Sequence, residues 1–86
     1  MENQNKECLV NSQVFRREIL AGFGRAVMEE RQRQNVRLVV LSQQIGVKEE
    51  TLERLELGRA PLNWEGLRRV VLALGKRVEL RLVDKE

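Results

Sequence analysis

Histidine and tyrosine are missing from this chain, and cysteine and proline occur once each, as Cys8 and Pro61. Without His or Tyr, and with one Cys in a polar N-terminal stretch, no nucleophile and base can be assembled. No phosphate-cradling glycine loop or metal-ligand spacing appears either. The sequence therefore reads as that of a non-enzyme. A single cysteine excludes an internal disulfide, and the lack of histidine argues against a metal, so no cofactor is expected. Aromatics are few (Phe15, Phe23 and Trp64), which leaves Leu, Val and Ile to build the core. No apolar run approaches the ~20 residues a membrane span needs. The opening MENQNKE lacks the charged-then-apolar order of a signal peptide. These two absences point to a cytoplasmic protein without a membrane partner.

What is present is organised around Val36 to Gly58, VRLVVLSQQIGVKEETLERLELG. Val36, Leu38, Leu41 and Ile45 recur at spacings of two to four, as one buried helical face does. Gly46 then supplies a residue that can adopt positive φ and stop that helix. Val47 is an apolar pin just past the turn. Leu52 and Leu55 line the inner face of a second helix, which Gly58 closes. Helices this short are not stable alone, so the rest of the chain must pack around them. The unit over 36–57 matches a helix-turn-helix, whose second helix can lie in the major groove of DNA. At 86 residues the chain makes one domain with a modest core. Its net charge of +3, from 16 basic and 13 acidic residues, permits nucleic acid as a partner without demanding it.

In chain order, residues 1–11 are polar and without period, and read as a mobile tail. Ser12 is a suitable N-cap, and the single domain runs from there to residue 86. Phe15, Ile19, Phe23 and Val27 recur every four residues, which predicts one stripe in a helix 1 region over 12–34, with Phe15 and Ile19 suited chiefly to core packing and otherwise to binding a partner. Gly22 and Gly24 interrupt it at roughly 1 kcal/mol each. One long helix with a weak point and two helices meeting there both remain open. Asn35 can take the left-handed conformation that ends a helix. Beyond the loop with Pro61, Asn63 is a good N-cap for a helix over 63–75. There Trp64, Leu67, Val70, Val71 and Leu74 fit the helical template. From Arg77 to Val83 the period falls to 2, with Val78, Leu80 and Leu82 alternating with charges, which predicts a half-buried strand. No second strand is visible, so pairing with the same strand of another copy is the simplest remedy.

From Phe23 to Val83 the chain resembles the lambda-repressor-like (Cro/CI, XRE) helix-turn-helix family. The pieces that carry the resemblance are FGRAVMEER, LSQQIGV, LERLELGRA and LRRVVLALGKRVEL, in order and at matching spacing. The last piece looks like the subgroup of HipB-type antitoxins, in which a terminal strand joins a sheet across the dimer. The resemblance implies a mainly α fold of five helices, with a C-terminal strand carrying Val78, Leu80 and Leu82 at a dimer contact. It also implies a salt bridge between Arg31 and Glu56, tying helix 1 to the recognition helix. A guanidinium can hold a carboxylate bidentately where water is excluded.

The base-reading positions implied by the resemblance are Lys48, Glu49, Glu50 and Arg54, with Arg37 and Arg59 near phosphate. Arg54 suits guanine, and Thr51 suits a methyl group or simple packing. Glu49 and Glu50 could accept from cytosine N4, yet carboxylates repel neighbouring phosphates. A family glutamine that grips phosphate is replaced by Leu38. Between Arg37 and Arg59, four basic residues face Glu49, Glu50, Glu53 and Glu56, so the reading surface is expected to be neutral. The surplus positive charge (Arg68, Arg69, Lys76, Arg77, Arg81, Lys85) reads chiefly as a solvated face. Val39 and Val40 suit either core packing or an apolar contact patch. Two functions follow. The first is a sequence-specific transcriptional regulator binding double-stranded operator DNA as a homodimer. The second is an interaction module on the same fold, antitoxin-like or antiactivator, that meets a protein partner such as a toxin or activator.

Overall fold

The computed structural model describes residues 2–59 and 64–84. Among them are four α-helices: α1 (Glu2–Arg33), α2 (Leu38–Ile45), α3 (Glu49–Glu56) and α4 (Trp64–Ala73). The five-helix expectation is thus corrected, because α1 runs unbroken through Gly22 and Gly24. Gly24 is there for proximity rather than for a break. A Cβ on it would lie 2.2 Å from the Leu55 carbonyl oxygen and 2.8 Å from that of Glu56. The C-terminal end of α3 therefore lies directly against α1 at this point. The expected tail also differs, since α1 begins at Glu2. Good helix formers such as Glu2, Lys6, Glu7 and Leu9 need no apolar period to support a helical backbone.

Asn35 ends α1 in the left-handed region (φ 59°), and the Val36 N–H donates to the Arg31 carbonyl at 3.0 Å. Gly46 makes the turn between α2 and α3 at φ 75°, with the N–H of Val47 returning to the Ser42 carbonyl. The buried apolar core consists of Val27, Leu41, Ile45, Leu52, Leu55, Val70 and Leu74, with Phe23, Val36, Leu38 and Val47 packed against it. Each fully buried Leu or Val contributes about 1.5–3 kcal/mol. α3 packs on α1 and α2, and α2 on α4. Trp64 stands apart from this core, 85% exposed at the start of α4. Asn63 and Pro61 lie outside the described residues.

The expected C-terminal strand is absent from the described residues: 76–84 carry no regular secondary structure. Val78, Leu80 and Leu82 are 56%, 91% and 102% exposed. The period-2 pattern is there, but a strand needs a ladder to satisfy its backbone groups, and the described residues offer none. Phe15 and Ile19 do not join the core either, at 65% and 52% exposure. The radius of gyration is 15.0 Å, against roughly 12 Å for a compact chain of this length. The excess comes from α1, whose 32 residues span ~48 Å along a molecule 49 Å long. Among the described residues no helix is long and apolar enough to cross a membrane.

Candidate nucleic-acid interface

α2 and α3 are each one short apolar face and one exposed face. On α3, Leu52, Leu55 and Glu56 are buried. Helical spacing then turns Glu50, Glu53 and Arg54 outward, where they share a surface depression with Leu57 and Arg59. Glu49 and Thr51 flank that line, and both are exposed. Arg37 and Lys48 sit at the N-cap positions of α2 and α3, and neither caps its helix through its side chain. All seven residues singled out for DNA contact are therefore on the surface of the two-helix unit. Glu49 and Glu50 have a structural duty as well. They stand in the first turn of an uncapped helix, where negative charge offsets the dipole and the free N–H groups.

Arg31 and Glu56 meet. Arg31 Nε donates to Glu56 Oε2 at 2.7 Å and Nη2 to Oε1 at 3.0 Å, a two-pronged contact. The third guanidinium nitrogen, Nη1, donates to the Val36 carbonyl at 2.9 Å. Relative side-chain exposures are 13% and 5%, so the pair is largely dry. The carboxylate raises the guanidinium pKa above its ordinary value. This contact clamps the C-terminal end of α1 to the end of α3 and to the start of the α2 segment. It also changes the charge of the exposed unit. With Glu56 buried and matched by Arg31, Arg37, Lys48, Arg54 and Arg59 face only Glu49, Glu50 and Glu53. The surface is net positive by one, where the sequence count makes it neutral.

Three further contacts hold the unit, and the first two have no local sequence signal. Gln34 Nε2 donates to the Leu74 carbonyl at 2.8 Å, which satisfies the end of α4. Arg69 Nη1 reaches the Ile45 carbonyl at the end of α2, at 3.5 Å. Glu30 accepts from Arg33 and from Gln34 Nε2, and lies 3.5 Å from Lys76 Nζ. These donors hold the Glu30 carboxyl down at about 2, the hydrogen bond from Arg33 first among them. Arg68 and Arg69 pair with Glu65 on the exposed face of α4. Val39 is half-buried and Val40 exposed, and neither is among the residues packed on the core. Set against known protein families, curated proteins and solved structures, the chain matches none.

Proposed function

We propose that the chain is a DNA-binding regulator that acts as a homodimer, with α3 as the reading helix of an α2–turn–α3 unit. The observation that supports this reading best is the burial of Glu56 against Arg31. It leaves the cations Arg37, Lys48, Arg54 and Arg59 in surplus by one over Glu49, Glu50 and Glu53 on an exposed unit of the right topology. In this reading Arg54 contacts a base edge, and Arg37 and Arg59 hold phosphate, as in the lambda-repressor-like family that the chain resembles. No catalytic role is assigned.

Fluorescence anisotropy on duplexes from the chain's own promoter and on scrambled duplexes, across salt concentrations, tests it. Arg54→Ala is expected to lose about 1–3 kcal/mol on the preferred duplex and to relax preference at one base pair. Arg37→Ala or Arg59→Ala is expected to weaken all sequences alike, and to lower the salt slope by about one. Preference that survives Arg54→Ala and Glu49→Gln together refutes α3 as the reader. The exposed glutamates of α3 favour a second reading, a module that meets a protein. Failure to bind any duplex at low salt, with tight capture of a protein partner, decides for that reading.

A further inference from the structure

α1 has two apolar faces, and the chain covers only one. Val27 and Gly24 meet the core and the end of α3. On another side Phe15, Ile19, Gly22 and Ala26 are spaced 4–3–4, the seam of a heptad. All four are exposed, and a Cβ added at Gly22 would meet nothing within 4 Å. Ile19 and Ala26 of this seam also form one wall of an open apolar groove of about 450 Å³, with Phe23, Leu74, Val78 and Leu80 among its other lining.

We propose that this seam is the contact between two copies of the chain, with the two α1 helices packed antiparallel about a two-fold axis near residues 20 and 21. The seam is complementary to itself in that arrangement alone. Ile19 of one copy lies over Gly22 of the other, and Phe15 over Ala26, so each large side chain meets a small one. The flanking charges match in the same register. Glu18 and Arg25 stand two turns apart on one edge of the seam, and neither has an ion-pair partner among the described residues. An antiparallel pair sets each Glu18 against the other copy's Arg25, and Arg16 beside the other copy's Phe23. The second α1 then runs on along the groove.

The area fits as well. Phe15, Ile19, Val78 and Leu80 are 65%, 52%, 56% and 91% exposed. At ordinary side-chain areas they present roughly 400 Å² of apolar surface, most of the apolar share of a ~800 Å² half-interface. Pairing also explains how the first half of α1 holds together, because a helix of that length is marginal in water without packing.

The inference deepens the dimer in the proposed function and does not need its DNA contact. Sedimentation equilibrium on the full chain, over a wide concentration range, tests it. The wild type is expected to be a dimer, and Ile19→Glu to weaken dimerisation at least about tenfold with the helical circular dichroism of the folded domain retained. Glu18→Arg and Arg25→Glu are each expected to weaken the dimer, and the double swap to restore it. A monomeric wild type overturns the inference. So does a dimer that survives Ile19→Glu and is lost on Leu80→Glu, or single swaps that the double swap does not rescue. A dimer that binds no DNA sinks only the DNA reading, and a monomer that binds DNA specifically sinks this inference and the homodimer of the proposed function while leaving α3 as the reading helix.

Discussion

Truncating Glu56 to alanine leaves Arg31 as a largely buried cation without its carboxylate. Two hydrogen bonds disappear, at 2.7 and 3.0 Å, from a contact whose side chains are 13% and 5% exposed. Removing one member of a buried pair costs about 3–5 kcal/mol. Arg31 keeps its bond to the Val36 carbonyl and some access to water. The loss is therefore expected at the low end, about 3 kcal/mol, equivalent to roughly 12–24 °C in melting temperature for a domain of this size. Arg31→Ala should lose as much, since it leaves the carboxylate, the more deeply buried partner, unpaired and frees the Val36 carbonyl. Urea unfolding of wild type, both single variants and the double variant at one protein concentration gives the cycle. The double variant is expected to lose about 1–3 kcal/mol less than the two singles added together. Arg31→Lys is expected to recover little, because an ammonium cannot span both carboxylate oxygens and Val36 at once. Strictly additive losses would refute the claim that this contact joins α1 to α3.

Gly24→Ala should destabilise by about 1–3 kcal/mol in the same assay, although alanine is otherwise the better helix former by about 1 kcal/mol. The new methyl would sit 2.2 Å from the Leu55 backbone oxygen, so α1 and α3 would have to move apart, and a stabilised variant would refute the close crossing. Glu30 supplies a pH dependence. Its carboxyl is lowered from 4.5 to about 2 in the folded chain, so its contribution is complete above the unfolded value and fades as pH falls from about 4.5 towards about 2. Thermal melts of Glu30→Gln should show a shallower acid limb over that window than wild type, and identical limbs would refute the role.

Helix ends and turns in the two-helix unit are legible because the causes are local. A glycine or asparagine that must take positive φ marks itself at Asn35, Gly46, Gly58 and Gly75. Leu41, Ile45, Leu52 and Leu55 are legible as core through period alone. What fails is whatever depends on which neighbour arrives. Phe15, Ile19, Phe23 and Val27 share one spacing, but α2, α3 and α4 reach only the later part of α1. Val27 is therefore buried, Phe23 half-buried, and Phe15 and Ile19 exposed. Gly24 reads as a helix breaker, because nothing local to it reveals that Leu55 and Glu56 pass overhead. Trp64 fits the α4 template and still projects outward. The alternation over 77–83 is real, but a strand is a property of two segments. The Arg31–Glu56 contact spans 25 residues and leaves no local period, so only motif spacing points to it.

The balance of charge on the α2–α3 unit bears on how such a protein would work. Four exposed cations meet at most four phosphates, and at about 0.9 per phosphate the salt slope for one copy stays below ~4. Exposed Glu49, Glu50 and Glu53 subtract from that attraction at every sequence, matched or not. One copy would then bind any duplex weakly at physiological salt, with little of the general electrostatic grip on which non-specific binding depends. Two copies double the phosphate contacts, while the repulsion from mismatched register remains. Under the proposed reading, an acidic α3 therefore shifts the work from affinity to discrimination and makes the second copy necessary. In the same reading, the uncovered seam of α1 is the surface proposed to supply it.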